Sequence, residues 1–264
     1  MTVRFCSLAS GSSGNCQYIE TDRIRLLVDA GLSGKKIQEA LISIEVDPST
    51  INGVLVTHEH KDHMYAIGIL SRRFNIPIYT NEKTWLSMKS DIGEVKEENV
   101  VIFDTDKTFE LQGLNIHPFK ISHDAIEPVG YSFNYENTKI SIVTDTGYVS
   151  EEVKEKIKDS HLLLIESNHD VEMLKVGKYP WYLKKRILSE HGHLSNDDAG
   201  KLLAEVLCGK NECILLGHLS KENNFPELAY QTVANILTEK GINVIKDISL
   251  ELTYRDRPSR VFSF

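Results

Sequence analysis

Apolar residues fall in many short runs along the chain, none of them long. Runs rich in Val, Ile, Leu and aromatics, bounded by Gly, Pro, Asn, Asp or Ser, read as strands. They stand at residues 3–9, 16–20, 23–28, 53–56, 77–80, 100–103, 108–111, 115–121, 129–135, 139–143, 162–165, 212–216 and 243–245, and an edge strand is expected in the tail at 252–264. Between them apolar positions recur at helical spacing. Ile37, Ala40 and Leu41 mark a helix over 34–42, and Ile67, Leu70 and Phe74 one over 64–74. Further helices are expected at 82–88, 151–158, 180–188, 196–207 and 226–239. Ser33, Asn81, Ser150 and Ser195 stand where N-caps belong, their side-chain oxygens able to accept from the first free backbone N–H groups. Residues 10–15, Ser-Gly-Ser-Ser-Gly-Asn, and the segment 136–138 read as turns.

Strands come first in clusters and then alternate with helices, and this happens once in each half. The pattern predicts two mixed β-sheets packed face to face with helices outside, an α/β chain of the α+β type rather than a doubly wound sheet. No repeat, low-complexity segment or long linker divides the 264 residues, so a single domain over 1–264 is expected. Hydrophobic content of 41% and charged content of 26% suit a globular enzyme. No apolar run reaches the roughly 18 residues that a membrane span needs. The first residues lack the layout of a signal peptide, and Cys6, Cys16, Cys208 and Cys213 form no C-x-x-C pair. A reduced, cytoplasmic protein with no membrane partner is the expectation. The net charge of −8 gives no general attraction to nucleic acid, so any such contact must come from local patches.

The densest chemistry is at residues 57–63, Thr-His-Glu-His-Lys-Asp-His, directly after the run 53–56. His58, His60, Asp62 and His63 form the pattern H-x-H-x-D-H. Imidazole nitrogen and carboxylate oxygen are the usual ligands of a borderline divalent metal. Four such donors in so short a loop exceed what one tetrahedral ion takes without strain, so more than one ion is expected. Three further donors stand at the ends of apolar runs: His123, Asp145 and His218. Asp145 is suited to bridge two cations, because each carboxylate oxygen can take one. His193, in Gly-His-Leu-Ser before a helix, either caps that helix or reaches the site as a proton donor. His169, after the run at 162–165, is a candidate to line the site or a bland buried residue. His191 reads as surface, His117 and His161 as core or boundary histidines, and Asp29 as a buried structural acceptor. Ser12, Ser13 and Asn15 are candidates to face a phosphate. Lys184 and Lys185, with Arg186 and near Trp181 and Tyr182, form either a grip on a nucleic-acid backbone or a solvated helix face. Arg255, Arg257 and Arg260 are a similar set in the tail.

The H-x-H-x-D-H cluster followed by His123, Asp145 and His218 resembles the metallo-β-lactamase fold over nearly the whole chain. That resemblance implies an αββα sandwich with a dinuclear site at one edge of the sheets. It implies that His58, His60 and His123 hold one ion, that Asp62, His63 and His218 hold the other, and that Asp145 bridges. Within that superfamily, residues 192–195 and 216–220 resemble ribonuclease Z, in which an acidic residue at the position of Glu166 partners the motif histidine, here His193. Closer still is the YycJ/WalJ group, also called VicX, which shares the opening at residues 7–15 and the whole layout. That group is linked to two-component operons and described as DNA exonucleases acting from 5′ ends. The chain has no insertion like a β-CASP domain and no arm of the ribonuclease Z kind.

The expectation is therefore a metal-dependent phosphodiesterase acting as a 5′→3′ DNA exonuclease, with two Mn2+ or Zn2+ ions. Asp62 would orient the attacking water, and His193 with Glu166 would protonate the leaving oxygen. Rival readings on the same scaffold are an RNA-processing nuclease and a small-molecule phosphodiesterase. From a different class, a regulatory partner with a vestigial site is opposed by the intact ligand set.

Overall fold

The computed structural model describes residues 2–264. Elements are numbered in chain order. One seven-stranded sheet runs β14-β1-β2-β3-β4-β5-β6. It comprises β1 (Arg4–Ala9), β2 (Cys16–Glu20), β3 (Arg25–Val28), β4 (Gly53–Leu55), β5 (Ile78–Thr80), β6 (Val100–Ile102) and the closing β14 (Phe262–Ser263). The other runs β13-β12-β11-β10-β9-β8-β7. Its strands are β7 (Phe109–Leu111), β8 (Leu114–Lys120), β9 (Val129–Tyr135), β10 (Thr138–Val143), β11 (Leu162–Glu166), β12 (Glu212–Gly217) and β13 (Ile248–Leu252). In each sheet antiparallel hairpins give way to parallel strands, β3 to β6 in the first and β10 to β13 in the second.

Both faces of the central strands are covered, which is why β2, β11 and β12 are buried at every position, and why β11 and β12 are apolar but for a glutamate at one end. Between the sheets lie Phe5, Ile19, Leu26 and Leu55 from one side and Ile116, Tyr131, Phe133, Leu164 and Leu215 from the other. The outer face of the first sheet packs under α1 (Gly34–Ser43), α3 (Ile67–Phe74) and α4 (Glu82–Met88), through Ile37, Leu41, Leu70 and Met88. The outer face of the second packs under α5 (Glu151–Ile157), α8 (Asn196–Val206) and α9 (Pro226–Glu239), through Val153, Leu203, Val233 and Leu237. The result is four layers, αββα, as the pattern predicts. Ser33, Asn81, Ser150 and Ser195 each accept from the backbone N–H three residues on.

The structure departs from the sequence pattern in four places. The helix expected at 64–74 is two, α2 (Lys61–Met64) and α3, because Ala66 N donates to Ala30 O across the break. The strand expected at 243–245 is a turn: the Asn243 side chain accepts from both Ile245 N and Lys246 N, and pairing with β12 starts only at Ile248. The tail does not form one edge strand; β13 belongs to the second sheet, whereas Phe262 and Ser263 pair with β1 in the first. A short helix, α6 (Val171–Val176), capped by Asp170, precedes α7 (Trp181–Ile187) and was not expected. Among the described residues no helix is long and apolar enough to cross a membrane. Cys6, Cys16 and Cys213 are buried and Cys208 is exposed.

Candidate metal centre

The carboxyl ends of the parallel strands in both sheets meet at one edge of the sandwich, the place where crevices form in open sheets. Asp29 follows β3, residues 57–63 follow β4, His123 follows β8, Asp145 follows β10, Glu166 ends β11 and His218 follows β12. Asp29, Asp145 and His218 have φ of 62°, 57° and 54°. This left-handed conformation is uncommon outside glycine and marks constrained positions, here the points where the chain leaves a strand. Loop 57–63 is held down by Asn15 N donating to Asp62 O at 2.8 Å and Ala30 N donating to His63 O at 2.7 Å. A Cβ on Gly31 would fall 1.6 Å from Asp62 O, so only glycine permits this approach.

Donor atoms of His58, His60 and His123 lie within 4.8 Å of one another, as do those of Asp62, His63 and His218. His58, His63 and Asp145 form a third such group joining the two, and Asp145, Glu166, His193 and His218 form a fourth beside them. Asp145 Oδ2 is 3.2 Å from His63 Nε2, and Asp145 Oδ1 is 3.9 Å from His123 Nε2. Asp62 Oδ2 is 3.7 Å from His63 Nε2 and 3.8 Å from His218 Nε2.

The far sides of the His58, His63, His123 and His218 rings are anchored, which fixes the side that faces inward, whereas His60 Nδ1 lies 3.1 Å from His58 Nε2. Asp29 accepts from Thr57 N and Thr57 Oγ1, both at 2.8 Å, and lies 2.7 Å from His63 Nδ1. Thr57 Oγ1 is 2.9 Å from His58 Nδ1, Gly192 O is 3.2 Å from His123 Nδ1, and Glu166 Oε1 is 2.7 Å from His218 Nδ1. Ser10 Oγ accepts from His218 N.

The donor set fits divalent metal. Asp145 Oδ2 and His218 Nε2 are buried without a hydrogen-bond partner, a costly state for a polar atom that bound cations would relieve. Electrostatics point the same way. Burial alone would push the His63 and His218 imidazoles down, yet Asp145 and its neighbours hold His63 well above its usual range and His218 at about 10. Burial would raise the Asp145 carboxyl, but His218 and His63 hold it well below the usual carboxylate range. The carboxylates thus favour positive charge at this point of the cleft, which a divalent cation would also supply.

Next to the cluster, His193 Nδ1 lies 2.8 Å from Glu166 Oε1, the same oxygen that meets His218. Glu166 Oε2 accepts from Thr146 N. Burial opposes ionisation of both partners; His193 and His218 nonetheless lower the Glu166 carboxyl to about 2, and Glu166 raises His193. Ser195, not His193, caps α8, which leaves the His193 ring free of that task.

A model of the beta-lactamase superfamily domain matches residues 24–217, from β3 to the residue before His218. The chain is 42% identical over 261 residues to the exodeoxyribonuclease YycJ of Bacillus anthracis, covering 99% of each. It is 43% identical over 255 residues to the exodeoxyribonuclease WalJ of Streptococcus pneumoniae, covering 96% of this chain and 95% of that one. The chain belongs to the beta-lactamase superfamily, in its YycJ/WalJ group. The metallo-beta-lactamase fold protein YhfI of Bacillus subtilis shares the fold at a TM-score of 0.75, 15% identical and covering 100% of both chains.

Not every candidate faces this superfamily cleft. Lys184 is turned inward, its Nζ donating to Lys175 O at 2.7 Å, so it ties α7 to α6 and is not a surface cation. Arg186 pairs with Asp124, the neighbour of His123. Lys185 remains exposed, 5.8 Å over the Trp181 ring. Asn15 is buried: it clasps Gly11 through both side-chain atoms and sets Nδ2 3.0 Å from His63 Nε2, a holding role rather than an open contact for substrate. His169 is buried beside Ser195 and belongs to none of the donor groups; burial pushes it to about 4. Ser12 and Ser13 are exposed and border a cavity that opens on Asp62. His191 is exposed, and so is His161, which reads from the sequence as core or boundary; His117 is half-buried. Asp29 is the buried acceptor that the sequence suggests, and it also backs the His63 ring. Its place just past a strand was the same signal that singled out Asp145.

Proposed function

We propose that the chain is a metal-dependent nuclease that shortens DNA stepwise from the 5′ end, using two divalent cations, Mn2+ or Zn2+. The observation that carries this is the convergence of seven donors, with the partnerless Asp145 Oδ2 and His218 Nε2 buried at its centre and the His193–Glu166 pair beside it. DNA as the polymer, and attack from its end, come from the two relatives named exodeoxyribonucleases, alike over nearly the whole chain; the 5′ polarity comes from the resemblance to their group.

In this reading His58, His60 and His123 hold one ion, Asp62, His63 and His218 the other, and Asp145 lies between. Bound divalent cations supply the Lewis acidity that brings a water proton within reach at neutral pH and offset charge on the phosphodiester. Asp62 carries a second carboxylate oxygen to orient the attacking water. Glu166 holds His193 Nδ1 and keeps the imidazole protonated, leaving Nε2–H to be delivered to the departing oxygen. Lys185 over Trp181 offers one exposed cation on the His123 side.

The test incubates end-labelled single- and double-stranded DNA and RNA with the protein and Mn2+ or Zn2+, beside Asp62→Ala. Stepwise loss of nucleotides from 5′ ends of DNA, absent in the variant, is the expected result. Hydrolysis of small diesters with no shortening of any polymer would make it a small-molecule phosphodiesterase instead.

A further inference from the structure

The flanks of the donor cluster differ in how their cations are committed. A cavity of ≈ 410 Å³ opens on Asp62 and is bordered by Ser12, Ser13, Lys36, Lys61 and Tyr65. A second, of ≈ 520 Å³, continues from it: Ser13, Leu32 and Lys36 border both, and its far wall carries Arg255 and Arg257. One groove therefore leads from a candidate metal ligand to the carboxy-terminal tail.

Three cations in this groove have no acidic partner among the described residues. Elsewhere in this chain of net charge −8 some exposed bases are held by acids, as Lys35 is by Glu39 at 3.7 Å and Arg260 by Glu251 at 2.6 Å; here three cations line one groove without such a partner. Lys36 is exposed and unpaired. Lys61 Nζ lies 5.6 Å over the Tyr65 ring, and the Arg257 guanidinium lies 4.0 Å over Tyr254. A cation held on an aromatic face keeps its N–H groups for another partner. The acids bordering the groove are Asp62 at the cluster, Glu39, already beside Lys35, and Asp256. Arg255 is committed, donating to Leu219 O at 2.6 Å next to His218. On the opposite flank Lys184 is buried and Arg186 is paired, which leaves Lys185 and, at the cavity beside His123, Lys120.

We propose that this groove is the track of a single DNA strand, resting on the nuclease reading above. Lys61 meets the backbone phosphate adjoining the donor cluster, Lys36 one farther along and Arg257 one farther still. Tyr65, half its surface open, offers a ring face to a base. The chemistry recognised is a run of phosphates on a flexible strand, which an acidic protein can hold only where its bases are left unneutralised.

The test compares digestion of single-stranded DNA by the wild type, by Lys36→Ala/Arg257→Ala, and by Lys89→Ala/Lys246→Ala, which removes the same charge outside the groove. In the groove variant KM rises on the order of tenfold, and the dependence of log KM on log salt becomes shallower by about 0.7 for each phosphate left without its cation. The control pair keeps the wild-type KM and slope. Lys36→Gln/Arg257→Gln retains the apolar stems and gives the same readout should the alanine pair fail to fold. Wild-type values in the groove variant, or equal effects of both pairs, overturn the track while leaving the nuclease. A wild type that hydrolyses small diesters but no DNA overturns the nuclease reading and the track with it.

Discussion

The sheet containing β4 delivers His58, His60, Asp62 and His63 from one continuous loop, whereas the sheet containing β10 to β12 delivers His123, Asp145 and His218 singly, from the ends of separate strands. Geometry within the first group is set over a few residues by the loop and α2. Within the second it depends on register: Val143 opposite Ile165 and Glu166 opposite Gly217 bring Asp145, Glu166 and His218 level. A slip of one residue would turn each side chain to the other face. Each of the two triads takes one histidine from the second sheet, so a cation held by either triad spans both sheets. Metal binding therefore ties the two layers together and should stabilise the folded chain.

Three substitutions break or sharpen this contrast. The largest effect is expected from Asp145→Ala, which removes the donor that lies between the two triads. Elemental analysis should find the variant depleted of metal, and DNA cleavage should fall to background. Full metal content with turnover would mean that the dense loop suffices without the dispersed set. Next is His193→Ala, in which turnover should fall by about 10²–10⁴ while metal content stays at the wild-type level. Loss of metal there would make His193 part of the cage rather than a proton donor. The smallest is Asp29→Asn, which keeps the shape but weakens the anchor on His63 Nδ1. Metal affinity measured by chelator competition should drop about 10–100-fold. No change would mean that the loop holds His63 unaided.

Much of the site was legible along the chain. H-x-H-x-D-H announces itself by density, and His123, Asp145 and His218 each stand where an apolar run stops. Direction was not legible. Lys184 and Lys185 are neighbours on one helix, yet one is buried against Lys175 O and the other is open, because α7 lies against α6 through one face only. Asn15 belongs to a turn that looked ready to face a phosphate, and packing under the 57–63 loop bent its side chain onto His63 instead. The strand expected at 243–245 failed for a local reason, since the Asn243 side chain captured the backbone donors that a strand needs.

By itself the sequence determined the inventory: which runs become strands, which serines and asparagines start helices, and which side chains can bind metal. Those properties reside in a few consecutive residues and in the chemistry of single groups. The tertiary structure alone decided which strand ends share an edge, which rings are backed by Asp29 or Glu166, and which lysines keep their charge exposed. These depend on register and on packing between layers far apart in the chain, and a polar side chain gives no local sign of whether it will face the cleft or the interior.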